Sequence, residues 1–263
     1  MHLAVRATSV TSGLRTWNST QSRSKSTKIR GNVPPLLARF TIAVILTAAA
    51  NAAELQFSAE KPRIAAGEST TLTWKATPGQ KTILLGTGDV AATGSLSVSP
   101  SVTSNYTLLL DTASGLFART LTIEVTGARG TDFPADEEQF RYPLSDQRAV
   151  RSPSAFLQEI FRLLQNDLAF SVRTYTAENG VVVFLTNLST QADLISDAER
   201  RRLRARRIAY RLEVADRSGQ LAWTVKSLIE SQLRAEETWR KESDEALYQR
   251  KGRDLLSRLA GLP

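Results

Sequence analysis

The chain has 263 residues, 41% of them apolar, enough to build one or two globular cores. Its formal charge of +8 is unevenly placed: residues 1–53 hold seven Lys or Arg and no acid, so the 27 basic residues left of the 34 face 26 acidic ones and the body is nearly neutral. There is no cysteine and the one histidine is His2, which excludes Cys-His and Ser-His-Asp sites, Cys/His zinc clusters, His- or Cys-ligated haem, disulfides and a cysteine lipid anchor from the body; no cofactor and no metal are expected.

The first 52 residues run from a basic, Ser-rich stretch into FTIAVILTAAANAA (Phe40 to Ala53), the order of a secretory leader. The apolar run is shorter than the roughly 20 residues a helix needs to cross a bilayer. Ala50-Asn51-Ala52 fits the small-x-small cleavage rule, so release after Ala52 and a periplasmic or secreted location are expected. Met1 is the only methionine, and a start further in, such as at Val33, would shorten the long basic part. The alternative is a mitochondrial transit peptide, equally Arg-rich and acid-poor, although such a peptide should be amphipathic.

From Leu55 to Val125 short strands follow one another: Thr71 to Trp74, Thr82 to Leu85, Ser95 to Ser99, Asn105 to Leu110 and Thr120 to Val125. Thr70, Leu72, Trp74 and Leu121, Ile123, Val125 alternate with the period of a half-buried strand, and Gly67, Gly86, Gly94, Pro100 and Gly115 mark breaks between segments. A β-sandwich over 54–126 is expected. AAGESTTLTW (Ala65 to Trp74) followed by GSLSVSPSVTSNYTL (Gly94 to Leu108) resembles the bacterial immunoglobulin-like repeats of exported proteins. The resemblance implies that Trp74 packs the sandwich centre, that Pro100, Thr103 and Tyr106 lead into a late strand, and that the module acts as a spacer or adhesive without chemistry.

The stretch 127–151 concentrates Gly, Pro and charge and reads as a linker, with EEQFRYPL (137–144) compatible with a short edge strand. Its acids Asp132, Asp136, Glu137 and Glu138 lack the Asp/Asn/Gly alternation of a calcium loop and read as solvated. Each half on either side of such a linker is expected to fold alone.

Over 152–263 the pattern is helix, strands, helix. Ser152 is a fitting N-cap and Pro153 suits the first helical position, with Leu157, Ile160, Phe161, Leu164 and Leu168 as the apolar stripe. Val181 to Leu188 reads as a buried strand. Ile208, Tyr210, Leu212, Val214 and Leu221, Trp223, Val225 alternate around the turn DRSG as a hairpin. A last helix, capped near Ser243, carries Tyr248, Leu255, Leu256 and Leu259. The fold class expected is thus an immunoglobulin-like β-sandwich followed by a small two-layer α+β sandwich with three or four antiparallel strands. This order, with RRIAYRLEVADRSGQLAWTV leading to ESDEALYQRKGRDLLSRL, resembles the envelope-assembly lipoproteins such as the lipopolysaccharide-assembly lipoprotein, without their lipid-bearing cysteine. It implies a non-enzymatic, partner-binding role in the cell envelope. The alternative is a carbohydrate-active enzyme using paired carboxylates, which need neither Cys nor His; the acids Glu236, Glu237, Glu242, Asp244 and Glu245 read instead as a solvated charge run.

Six arginines fall within eight residues: Arg200, Arg201, Arg202, Arg204, Arg206 and Arg207. Extending the Ile208 strand backward would put Arg202, Arg204 and Arg206 on its core side, where unpaired guanidiniums cannot be buried. The strand is therefore expected to begin near Arg207, after a short helix opened by a Ser196/Glu199 capping box. The block reads as a solvated helix end, or as a contact for an anionic envelope polymer, lipid headgroup or envelope protein. Nucleic acid is not expected, because no aromatic residue is interleaved and the body is nearly neutral.

Overall fold

Short alternating segments separated by turns build the first half of the computed structural model, which describes residues 55–127, 133–134, 137–217, 219–234 and 238–263. The leader expected over 1–52 lies outside these residues. Eight strands come first: β1 (Leu55–Ala59), β2 (Arg63–Ala65), β3 (Thr70–Ala76), β4 (Thr82–Leu84), β5 (Gly88–Val90), β6 (Thr93–Val98), β7 (Ser104–Thr112) and β8 (Gly115–Thr126). They form a three-stranded sheet ordered β1-β3-β6 and a five-stranded sheet ordered β2-β8-β7-β4-β5, with β2 and β8 parallel and the other pairs antiparallel. Alternation sends Leu55, Phe57, Leu72 and Trp74 of the first sheet into one buried cluster with Leu84, Leu108, Leu110, Ile123 and Val125 of the second. Gly94 makes room for the indole of Trp74, since a Cβ there would lie 2.5 Å from its ring.

The second half adds β9 (Arg141–Ala149), α1 (Pro153–Arg162), β10 (Val172–Thr176), β11 (Val182–Thr186), β12 (Ser189–Thr190), β13 (Leu203–Arg217), β14 (Gln220–Leu233), β15 (Arg240–Lys241) and α2 (Glu245–Ala260). These strands make one seven-stranded antiparallel sheet, ordered β10-β11-β13-β14-β15, with β12 on β13 and β9 on β14. Three or four strands were expected here. β10 and the two-residue strands had no sequence signal, whereas β9 was anticipated only as a short edge strand within EEQFRYPL (137–144) and is mostly exposed, with Tyr142 and Leu144 half-buried. Both helices begin as their caps dictate: Ser152 accepts from the Ala155 amide, and Asp244, one residue beyond Ser243, accepts from that of Leu247. Among the described residues no helix is long and apolar enough to cross a membrane.

Two further expectations are corrected. The stretch 127–151, read as a linker compatible with a short edge strand over 137–144, contributes the nine-residue β9, whose Pro143 is tolerated at an irregular point of the pairing beside Tyr142, at φ 54°. The regions on either side of it also share a core. Thr107, Leu108, Leu109 and Leu110 of β7 are all buried, because β7 is covered on both faces. Leu108 and Leu110 face the first cluster, whereas Leu109, with Ile83 and Leu85, joins Phe156, Leu157, Ile160 and Trp223 of the second half.

Polar contacts lock the same junction. Asp111 at the end of β7 accepts hydrogen bonds from the Ser154 amide (2.8 Å) and from the hydroxyls of Ser152 (2.6 Å) and Ser154 (2.8 Å), so a carboxylate of the first half neutralises the α1 N-terminus. Asp216, in the β13–β14 hairpin, accepts from the Leu116 amide at 2.8 Å. Thr107 and Thr174 join hydroxyls at 2.7 Å, and the Asn105 side chain donates to the Thr174 carbonyl at 2.9 Å.

Candidate functional site

The six arginines lie around the start of β13, the longest strand among the described residues, where it pairs with the end of β14. The strand begins at Leu203, four residues before the expected Arg207. A register shift between Leu203 and Ala205 makes this possible: Leu203 turns inward, Arg204 turns out to solvent, and alternation resumes with Arg206 on the core side. One guanidinium is therefore buried, contrary to the expectation that none is.

Arg206 is buried because it is fully partnered. Its side chain is 4% exposed and contacts Glu199 at 2.7 Å and Glu242 at 2.8 Å. A third donor reaches the Leu194 carbonyl at 2.9 Å. Three chain segments thus converge on one cation, whose charge and donors are satisfied together. Arg207 is neutralised as well: Glu230, directly opposite on β14, accepts from it at 2.7 Å, and its guanidinium lies 4.3 Å from the ring centroid of Trp239.

Preceding the strand, Ser196 and Glu199 pair as a capping box would, but they close a turn rather than a helix. The Glu199 carboxylate accepts from the Ser196 amide at 3.0 Å and from its hydroxyl at 2.6 Å. Those bonds, together with Arg206, hold the Glu199 carboxyl down at about 2, against the partial burial that opposes them. Asp193 pairs with Lys251 of α2 just upstream, and Arg234 clamps the turn from β14, its amide donating to the Arg202 carbonyl and its Nε to that of Arg200.

On this anchored turn and the first residues of β13 the remaining four arginines are exposed. Arg200 pairs with Asp197 at 2.9 Å, an acid that is itself 99% exposed, so the pair is weakly held. Arg201, Arg202 and Arg204 have no carboxylate partner among the described residues. Exposed Arg234 adds a fifth cation. The block therefore divides into a paired structural part, Arg206 and Arg207, and an exposed cationic part, Arg200, Arg201, Arg202 and Arg204.

The acids are likewise taken up in pairing and capping. Glu137, expected to be solvated, accepts from Tyr175 and meets Arg211 at 2.9 Å; Arg211 also pairs with Glu213, which holds Lys226 at 2.9 Å. Burial first, and then the bond to Glu137, pushes the Tyr175 phenol up to about 12. Glu242 holds Arg206 and Asp244 caps α2. Asp132, Asp136, Glu236 and Glu237 lie outside the described residues. Among those described, no group of three or more His, Cys, Asp or Glu is placed to hold a metal ion.

Sequence reasoning missed Glu230, Glu242 and Arg234. Glu230 had a signal: counting back along both strands from the DRSG turn brings it opposite Arg207. Glu242 and Arg234 had none, since their contacts depend on the bulge and on the packing of the turn. No protein-family model matches the chain, and no curated protein matches it.

Proposed function

We propose that this chain is an exported envelope protein that works by binding rather than catalysis, and that the exposed arginines around the start of β13 contact an anionic polymer or lipid headgroups. The observation that carries the reading is the division of the arginine block. Arg206 and Arg207 are neutralised, whereas Arg201 and Arg202, on a turn held by Arg206, Arg234 and Asp193, and Arg204, at the start of β13, stand exposed without a carboxylate partner among the described residues. Cations on a prearranged turn lose little conformational freedom when they meet an anionic surface. The basic leader with its apolar run supports export.

In this reading residues 54–126 are an immunoglobulin-like β-sandwich. The two sheets contribute to one cluster around Trp74, and the Thr103 hydroxyl accepts from the Val125 amide at 3.1 Å, tying the approach to β7 onto β8. The region 152–263 is the assembly-type α+β part. A carboxylate enzyme is disfavoured, because Glu213, Glu230 and Glu242 are bound to cations.

Co-sedimentation with vesicles tests the proposal. Binding to vesicles rich in anionic lipid, or to an anionic wall polymer, should weaken with added salt, and zwitterionic vesicles should not bind. Equal binding to both vesicle types would overturn it.

A further inference from the structure

A second feature lies at the junction of the two halves, away from the arginines. A cleft of about 400 Å³ opens there, within the range of small-molecule sites. Tyr106, Phe161 and Phe133 bring three aromatic rings to it from three separate parts of the chain. Gln165 lines it with an exposed side-chain amide that has no hydrogen-bond partner among the described residues. Arg173 lies over the Phe133 ring, 4.6 Å from its centroid.

The backbone around the cleft is irregular where these groups enter. After α1 the chain passes through a π turn, Leu163–Asp167, which carries Gln165, and then through Ala169 at φ 55°. Such turns and left-handed non-glycine residues concentrate at functional sites. Opposite, Gly86 at φ 85° admits the Phe161 ring, which would lie 3.1 Å from a Cβ there.

We infer that this junction cleft binds a neutral oligosaccharide. Aromatic rings cover the apolar face of a pyranose, and the Gln165 amide can donate to and accept from its hydroxyls. No Asp or Glu is among the described residues lining the cleft.

Nuclear magnetic resonance titration of the protein with cellotetraose and with the tetramer of N-acetylglucosamine tests this. At least one should give saturable shifts confined to residues 103–106 and 161–174. The Gln165→Ala variant, which changes an exposed side chain, should keep the wild-type unfolding midpoint and bind up to about tenfold more weakly. No shifts at those residues with either neutral tetramer at millimolar concentration, or shifts that Gln165→Ala leaves unchanged in affinity, would overturn the assignment.

Discussion

Arg206 and its neighbours show how one sequence block holds side chains of opposite roles. Replacing Arg206 by Gln leaves Glu242, 14% exposed, facing a lost cation. Breaking a buried pair from one side costs about 3–5 kcal/mol. Arg201→Gln, Arg202→Gln and Arg204→Gln should each change stability by no more than about 0.5 kcal/mol. Urea unfolding of the four variants checks the contrast. Acid titration gives a second check. The Glu199 carboxyl is held at about 2 against an ordinary 4.5, so its contribution is present above about 4.5 and is lost as pH falls toward about 2. Glu199→Gln should therefore flatten the fall of the unfolding midpoint across that window, and an unchanged slope would contradict the assignment. The alternation rule that excluded buried guanidiniums was sound for unpaired ones. It could not foresee Glu199 and Glu242, because both reach Arg206 from outside its strand and no local spacing records that approach.

At the scale of elements, what was legible follows from burial. Segments with one buried face, such as β3, the two halves of the long hairpin and the stripe of α1, carry a period in the sequence and were found. β9 was only partly legible, as a short edge strand over 137–144, because beyond Tyr142 and Leu144 it is exposed. The run Leu108-Leu109-Leu110 in β7 was found as a strand, but its unbroken apolarity is also the mark of burial on both faces and pointed to a second packing partner. Capping crosses the same boundary. Asp111→Ala removes three hydrogen bonds at the α1 N-terminus and should destabilise the whole protein by about 1–2 kcal/mol. Gly115 allows another crossing contact: at φ 119°, with Asp216 only 2.8 Å from where a Cβ would stand, Gly115→Ala should lower the unfolding midpoint, as calorimetry would read.

Across the whole molecule, the shared core decides how the halves behave. Residues 54–126 expressed alone would expose Ile83, Leu85 and Leu109 and leave Asp111 without its helix, so this fragment should be poorly soluble, in contrast to the independent folding that the composition of 127–151 suggests. The full chain should unfold in one transition by heat, and two separated transitions would show that the junction is weaker than its packing implies. The same junction shapes the oligosaccharide cleft, while the exposed arginines lie at the far-strand end of the hairpin, so the two surfaces can be altered separately.

Anionic-surface binding by the triple variant Arg201→Gln, Arg202→Gln, Arg204→Gln, set beside its unfolding midpoint, bears most directly on the reading of the arginine block. Each cation near an anionic membrane contributes about 1 kcal/mol, so the variant should bind anionic vesicles roughly 150-fold more weakly, with a shallower dependence on salt and an unchanged midpoint. Binding equal to wild type would contradict the account and return these arginines to solvated surface.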